Sequence, residues 1–194
     1  MKDSKSSFRG VHHIAMATGN LDRTIRYWRD LLRMRLIGCF GKKGYKQYFF
    51  EISEGSSISF FEWDGVEPIH EKDHGRAVRG QFAFDHISFE VSSEDELWDI
   101  KDRLQYHGEW VSEVIDHGII LSVYTFDPNG IAIEFTYQKE GMSIQRHPLN
   151  YDKDPTSIAK EGIDPQLNLF PDSPQPTPIH ERKTYGGLIK DYMI

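Results

Sequence analysis

The chain has one cysteine, Cys39, and no second thiol to pair with it. That excludes an intrachain disulfide and any zinc site built from several thiolates, and it fits a reducing compartment, so a cytoplasmic protein is expected. Basic runs are missing as well. With 23 Lys and Arg against 30 Asp and Glu, the formal charge is −7, the wrong sign for neutralising phosphates, so no nucleic-acid partner is expected. No stretch approaches the roughly 20 apolar residues that span a bilayer, and the opening MKDSKSSFRG lacks the apolar core of a signal peptide. No membrane partner is expected either. Proline is scarce outside one region: seven of the nine fall between Pro148 and Pro178, which marks the end of the chain as different from the rest.

What the chain does have is a repeat. HHIAMATGNLDR at 12–23 and DHISFEVSSEDE at 85–96 align with a constant offset of 73 residues, each a short strand leading into a capped helix. In the first unit a strand covers 11–17, and Asn20 caps a helix with Leu21, Ile25, Trp28, Leu31 and Leu32 at helical spacing. The glycines from Gly38 to Gly44 read as a turn, followed by strands at 46–52 and 57–63; three strands are expected after the helix. The second unit starts near Phe82 with a strand to Val91, is capped at Ser92 or Ser93, and has a helix through Leu97, Ile100 and Leu104 that stops at Gly108. Strands at 110–115, 119–126 and 131–137 complete it.

The fold class is therefore α+β: two tandem βαβββ modules whose strands form a curved mixed sheet, plus an extended C-terminal tail. The expected divisions are an N-terminal extension (1–9), a first module (10–66), a connector (67–80), a second module (81–138) and a Pro-rich tail (139–194). Leu149, Tyr151, Leu167, Leu169 and Phe170 in the tail would let it act as a strap over the domain or a partner.

Each repeat strand carries a histidine at the same place, His13 and His86, and a third strand after the turn FDPNG carries Glu134. Side chains alternate faces along a strand. His13 shares its face with Ala15 and Ala17, His86 with Ser88 and Glu90, and Glu134 with Ala132 and Thr136, while the opposite faces are apolar. If the apolar faces pack on the helices and the strands share one curved sheet, all three candidates lie on the small or polar face and point into one concavity. Imidazole and carboxylate suit a divalent metal, so His13, His86 and Glu134 are the expected metal ligands. His12 lies on the other face from His13. His70, His74, His107, His117, His147 and His180 fall in turns, connector or tail, where exposure is the ordinary outcome.

The strands GVHHIAM and FDHISFEV, the helix end YWRDLLRMRL and the ending YTFDPNGIAIEF resemble the vicinal oxygen chelate superfamily, which includes glyoxalase I, type I extradiol dioxygenases and fosfomycin-resistance thiol transferases. The resemblance covers about residues 10–138. It implies paired βαβββ modules around one divalent metal, commonly with a dimer completing the site, and it carries the ligand roles onto His13, His86 and Glu134. Glyoxalase I enzymes add a fourth, carboxylate ligand at the end of the first module. Here the repeat alignment sets Ser59 opposite Glu134, and serine is a poor divalent ligand; Glu62 would serve only with a slipped register.

Two histidines and one carboxylate leave open coordination positions, an arrangement suited to non-haem Fe(II) oxygenases. The expected cofactor is one divalent ion, Fe(II) first, with Mn(II), Zn(II) or Ni(II) as alternatives. Tyr124, ten residues before Glu134, resembles in spacing the active-site tyrosine of the extradiol enzymes. Their acid–base histidine has no counterpart at Ser56 or Ser57, and His117 is the candidate replacement as general base. The reading that results is an extradiol-type dioxygenase acting as a homodimer on a small vicinal-oxygen substrate. A glyoxalase-like lyase, an epimerase, a thiol transferase, or a non-catalytic binding protein are the alternatives.

Overall fold

Asn20 and Ser93 open the two main helices by the same chemistry. Each has extended backbone, and its side-chain oxygen accepts a hydrogen bond from the amide three residues on, Arg23 at 2.9 Å and Glu96 at 3.1 Å. Glu96 in turn accepts from the amide of Ser92, the residue before the cap, at 2.8 Å and from its hydroxyl at 2.6 Å. The structure is a computed structural model describing residues 10–72, 74–77, 79, 84–143, 146–148, 153, 155–164, 169 and 174–186.

The elements run β1 (His13–Thr18), α1 (Leu21–Ile25) continuing as a π-helical segment (Arg26–Leu31), β2 (Leu36–Lys42), β3 (Tyr45–Ser53), β4 (Ser56–Glu62), β5 (Ile87–Val91), α2 (Glu94–Tyr106), β6 (Ile115–Asp116), β7 (Ile120–Phe126) and β8 (Ala132–Gln138). They form two four-stranded sheets, β1-β4-β3-β2 and β5-β8-β7-β6. In each, the first strand of the module pairs parallel to the last, and the other pairings are antiparallel. This is the tandem βαβββ arrangement read from the repeat.

Two local differences have physical causes. The glycine-rich stretch read as a turn contains most of β2, because Gly38 and Gly41 serve as strand residues. A Cβ on Gly41 would come within 2.7 Å of the Tyr45 carbonyl oxygen, so that position admits glycine for close approach of β3. The turn itself is shorter and uses Gly44 at φ 81°. The strand expected at 110–115 is reduced to β6 and an isolated bridge between Val111 and Thr125. Phe82, where the second unit was expected to restart, lies outside the described residues.

The core sits between the sheets and the helices. Trp28 is fully buried, with its ring centroid 5.5 Å from Phe60 of β4 and 5.8 Å from Phe89 of β5, so one side chain links the two modules. Its Nε1 donates to Asp127 Oδ2 at 3.1 Å, which ties the first helix to the turn before β8. Ile58, Phe60, Ile87, Phe89, Ile133 and Phe135 extend the same cluster. Both sheets therefore spend their apolar faces on a shared core, and the alternate residues lie on the opposite faces, where Ser59, Ser122 and Glu134 are also buried. That parity decides where the candidate ligands go.

The chain divides into two compact units, residues 11–148, and residues 1–10 together with 149–194. In the second, short 3₁₀ turns occur at Ala159–Glu161 and Ile179–Glu181, and the described apolar residues Ile158, Ile163, Leu169, Ile179 and Tyr185 are exposed. Leu149, Tyr151, Leu167 and Phe170, the other expected anchors, lie outside the described residues. Among the described residues no helix is long and apolar enough to cross a membrane.

Candidate metal centre

His86 lies immediately before β5, and Glu134 lies in the middle of β8, the parallel neighbour. Their side chains meet: Nε2 of His86 is 3.1 Å from Oε2 of Glu134. The other ring nitrogen, Nδ1, is 2.7 Å from Oδ1 of Asp85. Each ring nitrogen of His86 therefore faces a carboxylate oxygen, and the Nδ1 contact fixes the orientation of the ring.

Asp85 is itself held from the connector. It pairs with Nζ of Lys72 and accepts from the Gly75 amide at 2.9 Å. The Lys72 ammonium, then the Gly75 amide and His86, hold its carboxyl well below the usual carboxylate range. Asp85 is thus a fixed anion that orients the imidazole. No sequence reading singled it out, although its place in the DHISF strand, next to a candidate ligand, was the available signal.

Glu134 is buried, with 5 % of its surface exposed. Burial works to raise its pKa, but the hydroxyls of Ser122, Ser88 and Tyr124, with His86 beside it, outweigh burial and hold it below its ordinary value. The carboxylate is therefore anionic near neutrality and available as a ligand. Strand pairing supplies this setting directly: Ser88 lies opposite Glu134 on β5, and Tyr124 lies opposite it on β7.

Tyr124 OH is 2.9 Å from His117 Nε2, so the two sequence candidates for proton transfer are in contact. Burial, followed by Glu134 as hydrogen-bond acceptor and nearby charge, pushes the Tyr124 hydroxyl up to about 12. His74, expected to be an exposed connector residue, is instead half-buried here. Its ring centroid is 4.6 Å from Tyr124, 5.1 Å from Phe126 and 5.7 Å from His86, and its buried Nε2 makes no hydrogen bond among the described residues. Burial and then the neighbouring His86 depress its pKa.

His13 is on the other sheet. It lies exposed on the outer face of β1 with Ala15 and Ala17, its ring 5.9 Å from Phe49 and its Nδ1 2.9 Å from Nδ1 of His12. His12 was expected on the opposite face, but it precedes the first residue of β1, where strand alternation no longer constrains it. Among the described residues, no three His, Cys, Asp or Glu side chains are close enough together to hold one ion. The structure brings together His86, Glu134, Tyr124 and His117, and leaves His13 apart from them.

The donor set of this half-site fits a divalent ion. One imidazole nitrogen and one ionised carboxylate converge, 3.1 Å apart, and two ligands at right angles about 2.1 Å from an ion would be about 3.0 Å apart. Ser59 is fully buried and accepts a hydrogen bond from Gln47 Nε2 at 3.3 Å, so it is occupied within the sheet. Glu62 accepts from the Leu21 amide at 2.9 Å and from Lys46 at 2.7 Å, on the helix side of β4. It is a helix anchor and takes no part in the half-site.

The sequence is 26% identical to the lactoylglutathione lyase of Neisseria meningitidis over 132 residues, 66% of this chain and 91% of that protein. It is also 26% identical to that of Haemophilus influenzae over 138 residues, 69% and 96% respectively. Among solved structures, it is similar to a glyoxylase/bleomycin resistance protein/dioxygenase domain from Frankia sp. EAN1pec, with a TM-score of 0.58 at 23% identity over 73% of this chain and 99% of that one. The fosfomycin resistance protein FosX of Listeria monocytogenes, solved with Mn(II) and sulfate, gives a TM-score of 0.52 at 19% identity over 70% and 97%. The family model of the Glyoxalase/Bleomycin resistance protein/Dioxygenase superfamily matches residues 10–135, and the chain belongs to that superfamily.

Proposed function

We propose that this protein is a metal-dependent enzyme acting on a small molecule with vicinal oxygens, and that its working site forms between two copies of the chain. His86 and Glu134 of one copy would hold the ion together with His13 of a second. The support is the parity of the sheets: His13 and the His86–Glu134 pair lie on the faces turned from the one core that both sheets share, His13 exposed and His86 partly so. A second copy supplies the missing imidazole without breaking that core, and two-fold assembly makes two equal sites.

A bound divalent ion supplies an electrophilic centre for the two substrate oxygens and, as Fe(II), reducing power towards O₂. The remaining chemistry falls to the chain. Asp85 fixes the His86 ring, and Glu134 stays anionic among its hydroxyl donors. Tyr124 keeps its proton through the neutral range and offers it to a substrate oxygen beside Glu134. His117, exposed behind the phenol at 2.9 Å, relays protons between Tyr124 Oη and solvent.

Extradiol-type dioxygenation is the first reading of the reaction. The single observation that carries it is Ser59 in the register of Glu134, which leaves the ligand set at two histidines and one carboxylate. The lactoylglutathione lyases among the relatives favour a second reading, isomerisation of a dicarbonyl–thiol adduct. The test is anaerobic reconstitution with Fe(II), Mn(II), Zn(II) or Ni(II), followed by oxygen uptake on a catechol panel and turnover of a methylglyoxal–glutathione adduct. Oxygen uptake with Fe(II) is expected. Adduct turnover with Zn(II) or Ni(II) and no oxygen uptake on any diol would assign the lyase reaction.

A further inference from the structure

A cavity of about 470 Å³ opens between the first helix and the C-terminal end of α2, and none of the half-site residues lines it. Four arginines do: Arg23 and Arg26 from the first helix, Arg33 from just beyond its end, and Arg103 from the last turn of α2. The π-helical register contributes to this. Leu32 N donates to Tyr27 O at 2.9 Å, and the chain then leaves the helix through Arg33 at φ 62°, the one non-glycine residue in the left-handed region among those described. Such a conformation costs free energy and persists where something else is served by it.

The charges at this cavity do not balance. Of its two acidic wall residues, Asp30 already accepts from both Arg26 at 2.8 Å and Arg29 at 2.7 Å, which leaves Glu109 as the second. Among the described residues, the guanidinium groups of Arg23 and Arg33 make no ion pair or hydrogen bond, and Arg103 donates only to the Leu31 carbonyl at 3.3 Å. Arg33 and Arg103 line the same cavity, and burial and then the Arg33 charge depress the Arg103 pKa against the opposing pull of Asp99 and Glu96. In a chain with 30 acidic and 23 basic residues, carboxylates are plentiful, yet among the described residues none pairs with Arg23 or Arg33, and Asp99 and Glu96 act on Arg103 through charge without an ion pair.

We propose that this cavity binds a small molecule bearing an oxyanion group, with Arg23, Arg33 and Arg103 as the groups that recognise it. The guanidinium fork matches phosphate and carboxylate oxygens two at a time. The volume exceeds what a lone phosphate needs and lies in the range of metabolite pockets, and Tyr27, Leu31 and Pro128 supply an apolar wall for the rest of the ligand. This site is independent of the metal centre and of the reaction assigned to it.

The test uses the full chain in low-salt buffer, with calorimetric titration and thermal denaturation against inorganic phosphate, phenyl phosphate and succinate, and sodium chloride at matched ionic strength as control. Saturable binding of at least one of the three probes is expected. It should weaken by about tenfold or more in Arg33→Gln and in Arg23→Gln, the two positions with no partner to lose on substitution. Tighter binding of phenyl phosphate would assign a phosphorylated ligand, and tighter binding of succinate a carboxylate ligand. The metal content of both variants should equal that of the parent, which separates this site from the metal centre. Absence of saturable binding by every probe, or equal binding in the Arg23→Gln/Arg33→Gln double variant, overturns the proposal.

Discussion

Ser59 and Glu134 hold the same register in the two sheets. Ser59 pairs with Ala15 across β4 and β1, Glu134 pairs with Ser88 across β8 and β5, and Ala15 and Ser88 are related by the 73-residue offset of the repeat. Their lateral neighbours correspond too. Phe49 pairs with Ser59 and lies 5.9 Å from His13, and Tyr124 pairs with Glu134 and lies 6.0 Å from His86. The modules share a scaffold and differ in chemistry. One carries a carboxylate, a phenol and an orienting aspartate, and the other offers an imidazole against an apolar ring.

That division predicts complementation between two dead variants. His13→Ala and Glu134→Ala should each lose bound metal and activity. In a mixed population, the heterodimer holds one site with all three ligands intact. Refolding the two together should recover about a quarter of parental activity, as random pairing into two-site dimers requires. Metal analysis and turnover of the mixture check this. No recovery, with heterodimers demonstrated by mass, would place the ligands within one chain.

Asp85 should matter almost as much as the ligand that it orients. Asp85→Asn keeps the size of the side chain but loses the anion at His86 Nδ1. Metal affinity should fall by about 10–100-fold, measured by competition with a chelator. Unchanged affinity would mean that the β5 backbone alone fixes the ring.

Tyr124→Phe removes the hydroxyl and leaves the ring contact with His74 and His86. Turnover should fall by about 10²–10⁴-fold with metal content unchanged. His117→Gln should slow turnover less and alter its pH profile, since Tyr124 then lacks its relay. The Tyr124 pKa, pushed up to about 12, lies above its unfolded value of roughly 10. Its stabilising contribution is therefore complete below about pH 10 and disappears as pH rises through about 12, so the parent should lose an alkaline component of stability that Tyr124→Phe does not have.

Glu62 anchors the first helix from β4. Its pKa is lowered by Lys46 first and then by the Leu21 amide, so its stabilisation is present above roughly pH 4.3 and lost as pH falls through the depressed folded value. Glu62→Gln should destabilise by about 1 kcal/mol at neutral pH and should flatten the acid limb of the unfolding curve. Denaturant titrations at pH 7 and pH 3.5 compare the two proteins. An equal difference at both pH values would show that the charge of Glu62 contributes nothing.

The amino-acid sequence by itself determined the two modules, the Asn20 cap, the second cap to within Ser92 or Ser93, and the strand face that carries His13, His86 and Glu134. All of these follow from short-range rules: side-chain alternation, cap chemistry and the 73-residue repeat. Gly38 and Gly41 misled because a glycine needed for close strand approach looks the same in sequence as one needed for a turn. Only the tertiary structure decided that both sheets turn their apolar faces to one core around Trp28, which separates His13 from His86 and Glu134. Only it brought the connector's Lys72 and Gly75 to Asp85, set the His74 ring against Tyr124, and gathered arginines from both helical segments and their ends around one cavity. Those contacts join residues far apart in the chain, and local pattern carries no information about which distant surfaces meet when the core closes.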